Sequence, residues 1–125
     1  MDWHPHITVA TVIEDQGRFL LVEELKAGRL VLNQPAGHLE ANENLREAAI
    51  RETLEETGWE VELTGLVGIY LYTAPSNGIT YQRVCFAAKA VRHDAQRPVV
   101  LVLPGSRHSE IRHLMPVFGE TLARI

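Results

Sequence analysis

The sequence predicts a mixed α/β (α+β) architecture, one domain spanning residues 1–125. Three observations carry this. Runs rich in β-branched residues stand on both sides of a single capped helix. An Asn77-Gly78 pair between two strand-like runs is a strong hairpin signal. The 125 residues, 46% of them hydrophobic, match one ordinary domain with a real core.

In chain order, His6 to Ile13 (HITVATVI) reads as a strand. Glu14 to Gly17 is a turn, Arg18 to Glu23 a second strand, and Ala27-Gly28 a break before a third at Arg29 to Leu32. Asn33 to Asn42 contains Pro35 and Gly37 without helical period and is expected to be a loop. The helix follows, with Asn44 and Glu47 as a capping-box start and Gly58 as a left-handed stop. Val61 to Thr73 is β-like, with Gly65 and Gly68 as bulge positions, and Ile79 to Val91 is its return strand. Arg92 to Pro98 is polar loop, Val99 to Leu103 a short apolar strand, and 110–115 with 117–125 a helix broken near Pro116.

Composition excludes several classes. No apolar run approaches the ~20 residues that cross a bilayer, and MDWHPH lacks the pattern of a signal peptide. Cys85 is the only cysteine, so neither a disulfide framework nor a Cys-rich metal site is expected. No basic, aromatic-studded stripe suggests a nucleic-acid binder. The expectation is a cytoplasmic protein, monomer or homodimer, acting on a small molecule without nucleic-acid or membrane partners.

Charge is concentrated in one place. From Gly37 to Glu60 there are seven acidic residues against two arginines, a formal −5, whereas the rest of the chain has nine acids and ten bases. At 100° per residue from Leu45, the residues Ala49, Thr53, Thr57, Ile50 and Leu54 fall between about 40° and 180° and should pack on the sheet. Glu55, Glu52 and Glu56 fall at about 280°, 340° and 20°. Such like charges repel at this spacing and oppose the helix dipole near its C-terminal end. A Glu-rich face is ordinarily just solvated. This one is acid-only and is led into by a Gly-containing loop, so a divalent cation is expected there, Mg²⁺ or Mn²⁺ given oxygen-only donors.

The spacing of Gly37, Glu43, Arg51-Glu52, Glu55-Glu56 and Gly58 resembles the Nudix box, here residues 37–59. Thr53 stands where the family has an aliphatic residue, which would loosen helix packing, and Trp59 takes the final apolar place. The resemblance implies a Nudix fold, a mixed β-sheet sandwiched between helices, and Mg²⁺-dependent hydrolysis of a phosphoanhydride in a nucleoside diphosphate derivative. It implies metal ligation by Glu52, Glu55, Glu56 and the Gly37 carbonyl. Arg51 would orient a carboxylate, and Glu43 would hold the loop through Arg51. Glu52 and Glu56 are the catalytic carboxylates with Arg51, and Glu52 is the first choice of base. Glu40, Glu47 and Glu60 are left to face solvent.

Residues His6 to Ala10, Asn33 to Glu40 and the stretch to about Ala87 are similar to one bacterial phosphatase group of that family. The similarity implies a relaxed nucleoside tri- and diphosphatase that also cleaves hydroxymethylpyrimidine and thiamine pyrophosphates. His6 and Arg83 are candidate substrate contacts. Tyr70, Tyr72 and Tyr81 are candidates for base stacking or for cross-strand packing, Glu110 is a distal candidate base, and Cys85 is a core residue. Residues 92–125 depart from the group's pattern, so a non-catalytic nucleotide-binding module of the same fold stands as the alternative.

Overall fold

The computed structural model of the chain describes residues 2–94 and the strand at 101–104. Eight elements follow in order: β1 (His6–Asp15), β2 (Arg18–Lys26), β3 (Arg29–Asn33), β4 (Ala36–His38), α1 (Leu45–Thr57), β5 (Trp59–Thr73), β6 (Thr80–His93) and β7 (Leu101–Pro104). The sheet runs β3-β2-β1-β6-β5, with β4 also on β1 and β7 also on β2. The β1–β6 pair is parallel and the remaining pairs are antiparallel, so the sheet is mixed. One helix lies among the described residues. The helical segments expected at 110–115 and 117–125, and Glu110 with them, lie outside.

Local chemistry explains most element ends. Gln16-Gly17 and Ala27-Gly28 have positive φ at both positions, the two-residue turn that suits strand twist. β1 and β2 consequently run to Asp15 and Lys26, past the predicted limits. At α1 the capping box is complete: Asn44 accepts from the Glu47 amide at 2.8 Å and Glu47 from the Asn44 amide at 3.0 Å. Gly58, at φ 78°, closes the helix by donating to the Leu54 carbonyl. Bulges interrupt the β5–β6 register between Leu63 and Gly65 and between Leu66 and Gly68, as the glycines suggest. The return strand runs on to His93, because Arg92 pairs with Glu60 in register and by an ion pair at 2.6 Å.

Two expectations are corrected. The stretch Asn33 to Asn42 is not wholly loop: Ala36–His38 pairs with Ala10, Val9 and Thr8 of β1. That pairing fills the β1 edge that β2, joined only at Glu14 and Asp15, leaves open. Thr53 does not loosen the helix. It is fully buried and donates to the Ala49 carbonyl at 2.7 Å, so its hydroxyl lies at 2.8 Å as acceptor for the buried Thr11 of β1. The helix is thus fixed to the sheet by a polar contact inside an apolar core of Val9, Ile13, Ala49, Val84 and Phe86.

That assignment of donor and acceptor makes an asymmetric prediction. Thr53→Val leaves the Thr11 hydroxyl buried without its acceptor and should cost about 1–3 kcal/mol, whereas Thr11→Val removes only one accepted bond and should cost well under ~1 kcal/mol. The double variant should resemble Thr11→Val alone. Urea unfolding of all four proteins checks this, and an equal or larger cost for Thr11→Val would contradict it.

Candidate active site

The carboxylates of α1 are organised by one guanidinium. Arg51 donates from Nε and Nη2 to both oxygens of Glu43, at 2.5 and 2.9 Å. Its Nη1 reaches Glu52 at 3.1 Å and Glu55 at 3.2 Å, with Glu40 at 3.6 Å. Its Nη2 also donates to the His38 carbonyl at 3.0 Å, which joins helix, preceding loop and β4. Glu43 is held below the usual carboxylate range by Arg51, against a smaller opposing effect of burial. Arg51 is in turn raised further above its ordinary value, chiefly by Glu43. Of the acids left to solvent, Glu47 caps the helix, Glu60 pairs with Arg92, and Glu40 borders Arg51.

The other side of the helix is set by β4. Gly37 pairs with Val9 and turns its α-carbon to α1, where any β-carbon would collide with the Glu52 carboxylate. Only glycine permits that approach. Glu56 accepts from the Ala36 amide at 2.9 Å. Burial raises its pKa first, and the charges of Glu52, Glu24 and Glu55 add to the rise, with the Ala36 hydrogen bond opposing. Glu24 of β2, not singled out from sequence, therefore belongs to the same acidic field.

The three carboxylates predicted as ligands are assembled without converging. Glu52 and Glu55 lean on Arg51 and Glu56 on Ala36, and no three acidic, imidazole or thiol side chains form a ready cation cage among the described residues. The donor chemistry still fits a hard divalent cation: only oxygens are offered, and partly buried Glu56 has no paired base among the described residues.

On the opposite face of the sheet lies a cleft of about 870 Å³. Its floor is a cross-strand row, His38–Thr8–Arg83–Tyr70, set by the register of β4, β1, β6 and β5. The neighbouring row is His6–Tyr81–Tyr72. Arg83 lines the cleft and donates to Gln34 at 3.0 Å. His6 stands at its rim, with its ring centroid 5.7 Å from Tyr81 and 6.5 Å from His38. The three tyrosines all line it, with Tyr70 and Tyr72 mostly exposed, so Tyr72 opposite Tyr81 serves packing and leaves ring surface open. Ala36, Gly37 and Glu24 line the cleft as well and connect it to the acidic helix, whose Glu52, Glu55 and Glu56 lie outside the lining. Thr8 and Gln34 were missed from sequence. A period-two walk from Tyr81 to Arg83, matched to His6 and Thr8 across a parallel pair, would have found Thr8; no local signal marks Gln34.

The Arg51–Glu43 pair generates a pH prediction. Because the folded pKa of Glu43 is depressed, its stability contribution is present above the unfolded value and is lost as pH falls through the folded one. Glu43→Gln should therefore destabilise the protein at neutral pH, with the difference from wild type shrinking to nothing in strong acid. Urea unfolding across that range checks it; a difference independent of pH would contradict the assignment.

Comparison with known proteins follows the same geometry. The NUDIX domain family matches residues 2–117. Phosphatase NudJ of Escherichia coli K12 is 49% identical over 71 residues, 57% of this chain and 46% of that protein, and the Shigella flexneri NudJ matches equally. The chain thus spans about half the length of the curated relatives it matches. A NUDIX hydrolase from Nitrosomonas europaea is similar with a TM-score of 0.70 and 48% identity, covering 73% of this chain and 62% of that one. A UDP-X diphosphatase shares the fold alone, with a TM-score of 0.71 at 17% identity over 98% of this chain and 62% of that one. No helix among the described residues is long and apolar enough to cross a membrane. With its family match over nearly the whole chain and a mixed sheet carrying the Gly37–Arg51–Glu52 arrangement, this chain belongs to the Nudix family.

Proposed function

We propose that the chain, acting as one domain, is a metal-dependent hydrolase that cleaves phosphoanhydride bonds of small diphosphates. The observation that carries this is the partly buried Glu56, raised in pKa by burial and by Glu52, Glu24 and Glu55, beside a cleft that also contains Arg83. Nudix hydrolases generally use a divalent metal, and Mg²⁺ is the cation proposed here, held by Glu52 and Glu56 with Glu55 and the Gly37 carbonyl near. When bound, it would neutralise phosphate oxygens and make a water more acidic.

The chain's own groups supply the rest. Arg51 restricts Glu52 and Glu55 to one side of the helix, so the carboxylates present a fixed field to the substrate. Glu52 commits one oxygen to Arg51 and Glu56 one to the Ala36 amide, so each keeps a second oxygen to hold the cation or to take a proton from water. The Ala36 amide orients the Glu56 carboxylate by holding Oε1. Across β4, Arg83 offers positive charge to a phosphate, while Tyr70, Tyr72, Tyr81 and His6 offer flat surface to an aromatic group. Nucleoside di- and triphosphates and pyrimidine pyrophosphates such as hydroxymethylpyrimidine pyrophosphate combine both features, and the NudJ relatives are named phosphatases.

Glu56→Gln tests the proposal. The amide keeps an acceptor for Ala36 but removes the charge and the base, so phosphate release should fall by ~10²–10⁴-fold. Because the folded pKa of Glu56 is raised, its favourable contribution is lost as pH rises through that value, and ionised Glu56 is a cost at neutral pH. The metal-free variant should therefore melt at or above the wild-type temperature. Unchanged turnover in a folded Glu56→Gln protein would refute the role.

A further inference from the structure

Gln34 precedes Pro35 at the entrance to β4 and makes three side-chain contacts. Its Nε2 donates to the Thr11 carbonyl at 3.2 Å and to Cys85 Sγ at 3.4 Å, and its Oε1 accepts from Arg83 Nη1 at 3.0 Å. The orientation of the amide follows from its neighbours. A carbonyl oxygen can only accept and a guanidinium can only donate, so the NH₂ group must face Thr11 and the amide oxygen Arg83. Reversing the amide would set donor against donor at Arg83 and acceptor against acceptor at Thr11.

Arg83 differs from the other paired bases. Arg51, Lys89 and Arg92 each have a carboxylate within ion-pair distance, whereas Arg83 has none among the described residues. One of its nitrogens rests on a neutral oxygen, a contact that does not offset its charge, and the residue lines the cleft. Beside it, in register, is Thr8. That residue is 8% exposed and lines the cleft, and its Oγ1 is buried with no hydrogen-bond partner among the described residues. A buried hydroxyl without a partner is unfavourable until another polar atom reaches it. An aimed guanidinium next to an unsatisfied hydroxyl is what a tetrahedral oxyanion requires, since it takes charge-assisted hydrogen bonds from both. Glu52 and Glu56 lie across β4, and Glu24, which does line the cleft, has Oε1 held by the Asn33 amide at 3.1 Å.

We infer that Gln34 is a positioning residue that aims the Arg83 guanidinium, and that Arg83 with the Thr8 hydroxyl forms a phosphate-binding subsite on the sheet face opposite the acidic helix. The ligand is a phosphate group, either part of a diphosphate or free as inorganic phosphate. The inference rests on the hydrolase reading only in giving that phosphate a role in turnover; binding itself is measured without the reaction.

Titration calorimetry with pyrophosphate and with inorganic phosphate, both in chelator so that no divalent metal contributes, separates the two sources. Wild type should bind at least one of them. Gln34→Met, which keeps volume but removes all three polar contacts, and Thr8→Val should each weaken that binding about tenfold with melting temperature preserved. Arg83→Ala should weaken it more. Gln34→Met should then have no further effect on the Arg83→Ala background, the non-additivity expected of a residue that acts through another. Where turnover is measured, the Gln34→Met effect should appear in KM with kcat nearly unchanged. No binding of either anion by wild type, an unaltered affinity in Gln34→Met, or additive effects of Gln34 and Arg83 would overturn the inference. Arg83- and Gln34-dependent binding in a protein without turnover would support the subsite and remove the hydrolase reading. Turnover with KM and affinity indifferent to Gln34 and Thr8 would do the reverse.

Discussion

The arrangement depends on a single guanidinium. Arg51 gives five of its contacts to groups on three segments: Glu43 before the helix, Glu52 and Glu55 within it, and the His38 carbonyl on β4. Without a central cation, acids at 43, 52 and 55 would repel one another across a few ångströms. With it, the loop between β4 and α1 closes at a fixed angle. Arginine suits this because its planar fork reaches several carboxylates at once, and lysine would supply a point charge only. Arg51 nevertheless leaves Glu56 without direct compensation, and that imbalance is where the chemistry is proposed to occur.

β4 divides the two halves of the site. It is three residues long, yet it presents Gly37 to the helix and His38 to the cleft, because successive residues of a strand face opposite sides. On the first side negative charge crowds against a missing β-carbon; on the second Arg83 stands with tyrosines and Thr8. The separation keeps a base and a row of acids from neutralising each other as a structural ion pair.

Legibility in the sequence followed the range of the interaction. The capping box at Asn44 and Glu47, the stop at Gly58 and the hairpin at Asn77-Gly78 are set within a few residues, and all three are present. Arg51 with Glu43, Glu52 and Glu55 is nearly as local, being confined to one helix and its lead-in. β4 was not legible, because a three-residue strand with a proline before it has no period of its own and exists through β1. Thr53 misled because the hydroxyl was weighed without Thr11, 42 residues away. Ala48, which falls among the acids on the helical wheel, is nonetheless buried in the core cluster. The convergence of Glu52, Glu55 and Glu56 was inferred from backbone angles, but their side chains turn toward Arg51 and Ala36, which no helical wheel contains. Gln34 depends on three partners from β1 and β6 and left no mark in its own neighbourhood.

Product analysis on a panel of nucleoside diphosphates, nucleoside triphosphates and pyrimidine pyrophosphates, run with chelator and then with Mg²⁺ restored, tests the central claim most directly. That claim is that an Arg51-organised group of carboxylates makes this fold a metal-dependent phosphoanhydride hydrolase. The account predicts phosphate or pyrophosphate release from at least one substrate, absent in chelator and recovered on adding Mg²⁺. Tight binding of these compounds with no product in Mg²⁺ or Mn²⁺, or turnover indifferent to chelator, would contradict it.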